Sequence, residues 1–150
     1  IVLGGAHLGS VARWEERAKV QSFQDMVSNL LGKTMFNPGE SILDIGCGSG
    51  ALTRWLANYT LGNNPVTGID INNYLVTSAT RLATREELAD VVTFHVDNAE
   101  SLSFPDEGFD MTFSMTTMEE VDADRMQAEM VRVTKPGGKV AVIVRAVDMP

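Results

Sequence analysis

Short β-branched apolar runs alternate along this chain with longer stretches in which apolar residues return every three or four positions. Ahead of that alternation, Trp14, Ala18, Phe23, Met26, Val27, Leu30 and Leu31 predict one helix, capped by Ser10 and bent partway. Asn37-Pro38-Gly39 stops it, and Ser41-Ile42-Leu43-Asp44-Ile45 then reads as a strand running into glycines. The pattern next predicts a helix over Ala51 to Tyr59, a strand over Val66 to Ile69, a helix from Tyr74 to Leu88 and a strand over Val91 to Val96. A strand over Met111 to Met115, a helix carrying Met126, Met130 and Val133, and a strand over Val140 to Val144 complete the series. Turn formers separate the elements, among them Gly62-Asn63-Asn64-Pro65, Phe104-Pro105-Asp106-Glu107-Gly108 and Lys135-Pro136-Gly137-Gly138. Repeated strand-helix-strand units call for right-handed crossovers, so the expected fold is α/β with a doubly wound, mostly parallel sheet. Residues 1–36 are expected to form an N-terminal helical cap segment and residues 37–150 the α/β core of a single domain.

The sharpest chemical signal is Leu43-Asp44-Ile45-Gly46-Cys47-Gly48-Ser49-Gly50, at a strand-to-helix junction. Glycines there let the backbone turn tightly and approach a ligand, and the next helix offers its N-terminal amides. Gly46, Gly48 and Ala51 also satisfy the dinucleotide pattern, which keeps a nicotinamide-dependent oxidoreductase in play. Asp44 points elsewhere, because an acid two residues before the first glycine suits a cationic ligand and repels a pyrophosphate. Asp70 ends the second strand, where a carboxylate can accept both hydroxyls of a ribose, and Asn98 follows the third, where its amide can read an adenine amine.

In order and spacing these residues resemble the class I S-adenosylmethionine-dependent methyltransferases, in particular the small-molecule branch of ubiquinone and menaquinone C-methyltransferases. The stretch Leu102 to Asp110 and the Lys135-to-Gly138 turn look like further landmarks of that family, and the likeness runs from about Gly39 to Arg145. It implies S-adenosyl-L-methionine as cofactor, contacted by Asp44, Gly46, Cys47, Gly48, Gly50, Asp70, Ile71, Asn98, Ala99, Ser114 and Met115, and methyl transfer to a small-molecule acceptor. Where the family usually has Asp, this chain has Asn98. A non-catalytic binding module on the same fold is the third reading, since family members continue past the fifth strand into a helix and an antiparallel hairpin that this sequence lacks. The chain opens at Ile1 and stops at Met149-Pro150 after an apolar run, so it reads as a piece of something longer.

Methyl transfer from a sulfonium asks mainly for alignment and exclusion of water, and a base only if the acceptor must lose a proton. Glu119 and Glu120, after the fourth strand, are the candidate bases, with solvated helix-start acids as the alternative. His7 joins them if the N-terminal segment folds over the pocket, whereas His95, inside a strand, is given no role. Met111, Met115 and Met118 are candidates for an apolar acceptor wall, Met111 more naturally for the core.

Composition narrows the remaining classes. A net charge of −8 disfavours a nucleic-acid partner, and Arg13, Arg17 and Lys19 read as a solvated helix face. Apolar runs fall far short of the roughly 20 residues of a membrane span, and no basic stretch leads into a signal-like core. Cys47 is the lone cysteine and acts as a small filler, so there is no internal disulfide; two separated histidines argue against a metal. A reducing cytoplasm fits. Nothing in the sequence speaks to oligomeric state.

Overall fold

The computed structural model describes the backbone of residues 4–145 and the side chains of residues 11–145. The N-terminal segment forms two helices, α1 (Gly4–Ala18) and α2 (Gln21–Gly32), where the apolar period predicts one bent helix. The break falls at Val20, whose extended backbone (φ −69°, ψ 127°) interrupts the helical ladder. Ser10 lies inside α1 and is not its cap, because the helix already runs from Gly4.

Strands β1 (Ile42–Ile45), β2 (Val66–Asp70), β3 (Val92–Val96), β4 (Phe109–Met115) and β5 (Thr134–Ile143) form one sheet in the order β3-β2-β1-β4-β5. Every neighbouring pair is parallel. Between them run α3 (Ala51–Tyr59), α4 (Asn73–Arg85), a short 3-10 turn over Met118–Glu120, and α5 (Ala123–Val133). This is the doubly wound α/β fold that the sequence calls for. Two boundaries move by three residues or more. Helix α4 ends at Arg85 rather than Leu88 because Glu87 takes φ +60° and starts a turn. Strand β5 begins at Thr134, so the Lys135-to-Gly138 turn lies within it as an irregularity. Thr134 pairs with Phe109 and the next pairing is Lys139 with Met111.

All four residues of β1 are buried, as expected of a central strand covered on both faces. Alternation sends Ile42 to a core shared with Val27 and Leu31 of α2 and Leu56 of α3, while Leu43 and Ile45 join Met126, Met130 and Val133 of α5. Asp44 therefore points toward α3 by strand geometry alone. Phe113 is fully buried in the first core. Phe113→Ala is expected to cost about 3–5 kcal/mol in urea unfolding, and a loss below ~1 kcal/mol would contradict this packing.

Candidate functional site

The strand order reverses at β1, with β2 on one side and β4 on the other, and a doubly wound sheet opens a crevice there at the strands' carboxyl ends. The structure has a cavity of about 540 Å³ at that point. Its floor is the turn after β1, where Gly46, Gly48 and Gly50 all take positive φ. A Cβ on Gly46 would lie 2.0 Å from the Thr117 Oγ1, and one on Gly48 would lie 2.6 Å from the Trp14 ring. Both positions exclude a side chain on grounds of space as well as backbone.

Asp44 is 2% exposed and faces the cavity. Thr53, on the first turn of α3, donates its hydroxyl to the Asp44 Oδ2 at 2.7 Å. Burial pushes the Asp44 carboxyl up to about 7; the Thr53 hydrogen bond opposes that rise and the Asp70 charge adds to it. Among the described residues no cation pairs with it. Asp70 is held differently, its Oδ2 accepting from the Gly48 amide at 3.1 Å and its Oδ1 from the Asn72 amide at 2.9 Å. The end of β2 is thereby fixed to the glycine turn of β1.

Asp97, Asn98, Ala99 and Glu100 close the side beyond β3, and the exposed Ile71 stands beside Asp70. Asn98 Oδ1 already accepts from the Glu100 amide at 2.9 Å, leaving one further lone pair and the amide hydrogens. Met115, Thr116 and Thr117 line the opposite side after β4. Thr116 takes φ +53°, costly for a β-branched residue, and its amide is held by the Ile143 carbonyl at 2.7 Å.

Several sequence expectations separate here. Asp44, Gly46, Cys47, Gly48, Asp70, Ile71, Asn98, Ala99 and Met115 all line the one cavity. Gly50 does not; it caps α3 with φ +77° and abuts Phe94. Ser114 does not either, because strand alternation puts it opposite Met115, fully buried, with its hydroxyl unpartnered among the described residues. Glu120 lines the cavity and Glu119 does not. The Arg145 amide donates to Glu119, and that hydrogen bond holds its carboxyl below the usual range. His7 falls on α1, and its side chain lies outside the described residues. Met111 is core, and Met118 packs against the α5 side. Burial pushes the Cys47 thiol well up, which suits a filler.

The sequence reading missed Trp14, Arg17 and Phe23, which cover the cavity from α1 and α2. Arg17 is no solvated face residue: its guanidinium lies over the Phe23 ring, 5.2 Å from the centroid. Helical period marked Trp14 and Phe23 as apolar-face positions but carried no sign that this face meets a cleft.

A glycine turn flanked by two carboxylates at the switch point of a doubly wound sheet defines a cofactor-binding α/β domain. Residues 43–142 match the family described as "Methyltransferase domain", and the chain belongs to that family, the S-adenosylmethionine-dependent methyltransferases. It is 34% identical over 110 residues to the demethylmenaquinone methyltransferase of Symbiobacterium thermophilum, covering 73% of this chain and 44% of that protein. It is 42% identical over 106 residues to the 2-methyl-6-phytyl-1,4-hydroquinone methyltransferase of a Synechocystis species, covering 70% of this chain and 32% of that one. Among solved structures, the [4+2]-cyclase SpnF superposes with a TM-score of 0.76 at 30% identity, over 89% of this chain and 51% of SpnF. The chain thus spans less than half the length of the two methyltransferases.

The Asp44 carboxyl ionises near 7 when folded against an ordinary 3.8. Between about pH 4 and 7 the folded, ligand-free chain holds a proton the unfolded chain has lost, so Asp44 makes stability fall as pH rises through that window. Asp44→Asn is expected to flatten the fall in denaturant titrations across those pH values; an equal fall in both proteins would contradict the burial argument.

Proposed function

We propose that this chain binds S-adenosylmethionine in the cleft and transfers its methyl group to a small-molecule acceptor. The observation that carries the reading is Asp44, a carboxylate buried against the glycine turn with no cation paired to it among the described residues. A bound cation restores its ionised form, and a pyrophosphate would be repelled. The residues fit the cofactor in other respects. Gly46 and Gly48 let the turn curl at positive φ beneath Thr117 and Trp14 on the cavity floor, and Asp70 keeps lone pairs for two ribose hydroxyls while its orientation is set by backbone amides. Ile71 offers an apolar face and Asn98 an amide edge for the base.

When bound, the cofactor supplies a methyl group already activated on a sulfonium. The chain's part is to align, to enclose and, for some acceptors, to take a proton. Trp14, Phe23, Met115 and Val121 give the acceptor side an apolar wall, and Thr116 and Thr117 set its depth above Gly46. Glu120 is the base we assign, since Glu119 is committed to the Arg145 amide; His7, on α1, remains the second candidate. A quinol-like ring is the acceptor class that the two methyltransferase relatives and this wall favour together. The net charge of −8 supports a small acceptor over a nucleic acid, and a lone, buried thiol supports a cytoplasmic setting. No helix among the described residues is long and apolar enough to cross a membrane.

SpnF favours a second reading, in which the same cleft serves a reaction other than methyl transfer. A thermal scan with S-adenosylhomocysteine or NADH in excess tests the cofactor. About 100 times the dissociation constant should add ~2.7 kcal/mol with the first, and a shift with NADH alone would overturn the reading. With a hydroquinone acceptor, formation of S-adenosylhomocysteine is expected, and its absence across a panel of quinols would favour the second reading. Glu120→Gln is expected to lower kcat about 100-fold and Glu119→Gln less than ~2-fold; the reverse order would move the base.

A further inference from the structure

One buried charge network lies beside the cleft and takes no part in the contacts proposed above. Arg54, on α3, is 4% exposed. Its Nε donates to Glu86 at 3.0 Å, its Nη1 to the Ser49 carbonyl at 2.9 Å, and its Nη2 to Glu15 Oε2 at 2.6 Å. Ser49 Oγ donates to the other Glu15 oxygen at 2.6 Å. Glu15 thus spends one carboxylate oxygen on the glycine turn and the other on the arginine behind it. Glu86 is the C-cap of α4, so three helices and the turn converge on one guanidinium.

The consequence lies one residue away. Trp14 covers Gly48 so closely that a Cβ there would overlap its ring, and Arg17, one helical turn on, lines the same cavity. Helix α1 brings these residues over the cleft, and among the described residues of α1, Glu15 alone hydrogen-bonds the glycine turn through its side chain. Short charge-assisted bonds to a buried arginine and to a buried serine make a strong, specific tether. Glu16 and Arg13 of the same helix are exposed, as is Lys19 just past its end, and Lys19 pairs with Glu16 rather than with the cleft.

We propose that Glu15 is a positioning residue for the cofactor site, clasping α1 to Ser49 and Arg54 so that the helix encloses the bound cofactor and must unclasp for exchange. The proposal rests on the cofactor occupying the glycine turn. It adds a residue outside the glycine motif that sets how long the cofactor stays.

The chain has two tryptophans, so Trp55→Phe leaves Trp14 as a local reporter of α1. In that background Glu15→Ala and Glu15→Gln are compared with the parent by acrylamide quenching without ligand and by stopped-flow dissociation of S-adenosylhomocysteine, after far-UV circular dichroism has confirmed the fold. Loss of charge-assisted bonds predicts that Glu15→Ala raises the quenching constant about two-fold and the dissociation rate about ten-fold or more. Glu15→Gln, which can still accept from Ser49, should fall between. Unchanged quenching overturns the clasp, and raised quenching with an unchanged dissociation rate overturns its role in exchange. A parent that shows no S-adenosylhomocysteine binding overturns the cofactor reading itself, while the quenching ratio still reports whether Glu15 holds the helix.

Discussion

A carboxylate buried without a counter-charge among its described neighbours is the constraint around which this structure is arranged. Asp44 sits in the most enclosed strand of the sheet, and the parity of β1 aims it at the first turn of α3. Thr53 meets it there with a single hydroxyl, enough to orient the carboxylate and too little to offset desolvation. The ligand-free fold therefore carries a cost at neutral pH. A cationic ligand beside Asp44 would relieve that cost, which is the part proposed for the cofactor.

The rest of the cleft supports that point from three sides. Asp70 and the Gly48 amide lock the ends of β2 and β1 together, so the two carboxylates keep a fixed separation. Thr116, held in an unfavourable backbone conformation by its bond to β5, carries Thr117 over Gly46. Trp14 closes the third side from a helix that the sheet does not itself require. A site assembled at strand ends has its floor fixed by the sheet, while its cover comes from loops and from α1.

How much of this was legible depends on whether the cause is local. Helix α3 was readable to the residue because a glycine turn starts it and a turn at Thr60 to Gly62 ends it, both local signals. The end of α4 was not, because Leu88 still packs against the core from a turn and so continues the apolar period past the helix. Ser10 failed as a cap since α1 runs through Gly4, Gly5 and Gly9 against their propensity. In the cleft, Asp44, Asp70 and Asn98 were readable because motif spacing places them at strand ends. Thr53, Glu15 and Trp14 depend on which helix faces meet, and Ser114 differs from Met115 by a single step of strand parity that the motif does not encode.

The most direct test of Asp44's central place is its own titration. Carboxyl 13C NMR of the chain labelled at aspartate, assigned with Asp44→Asn, should show Asp44 ionising near 7 without ligand. With S-adenosylmethionine bound the same resonance should stay ionised to well below pH 5, as expected of a carboxylate beside a cation. An ordinary carboxylate titration in the ligand-free chain, or one that S-adenosylmethionine leaves unmoved, would contradict the account.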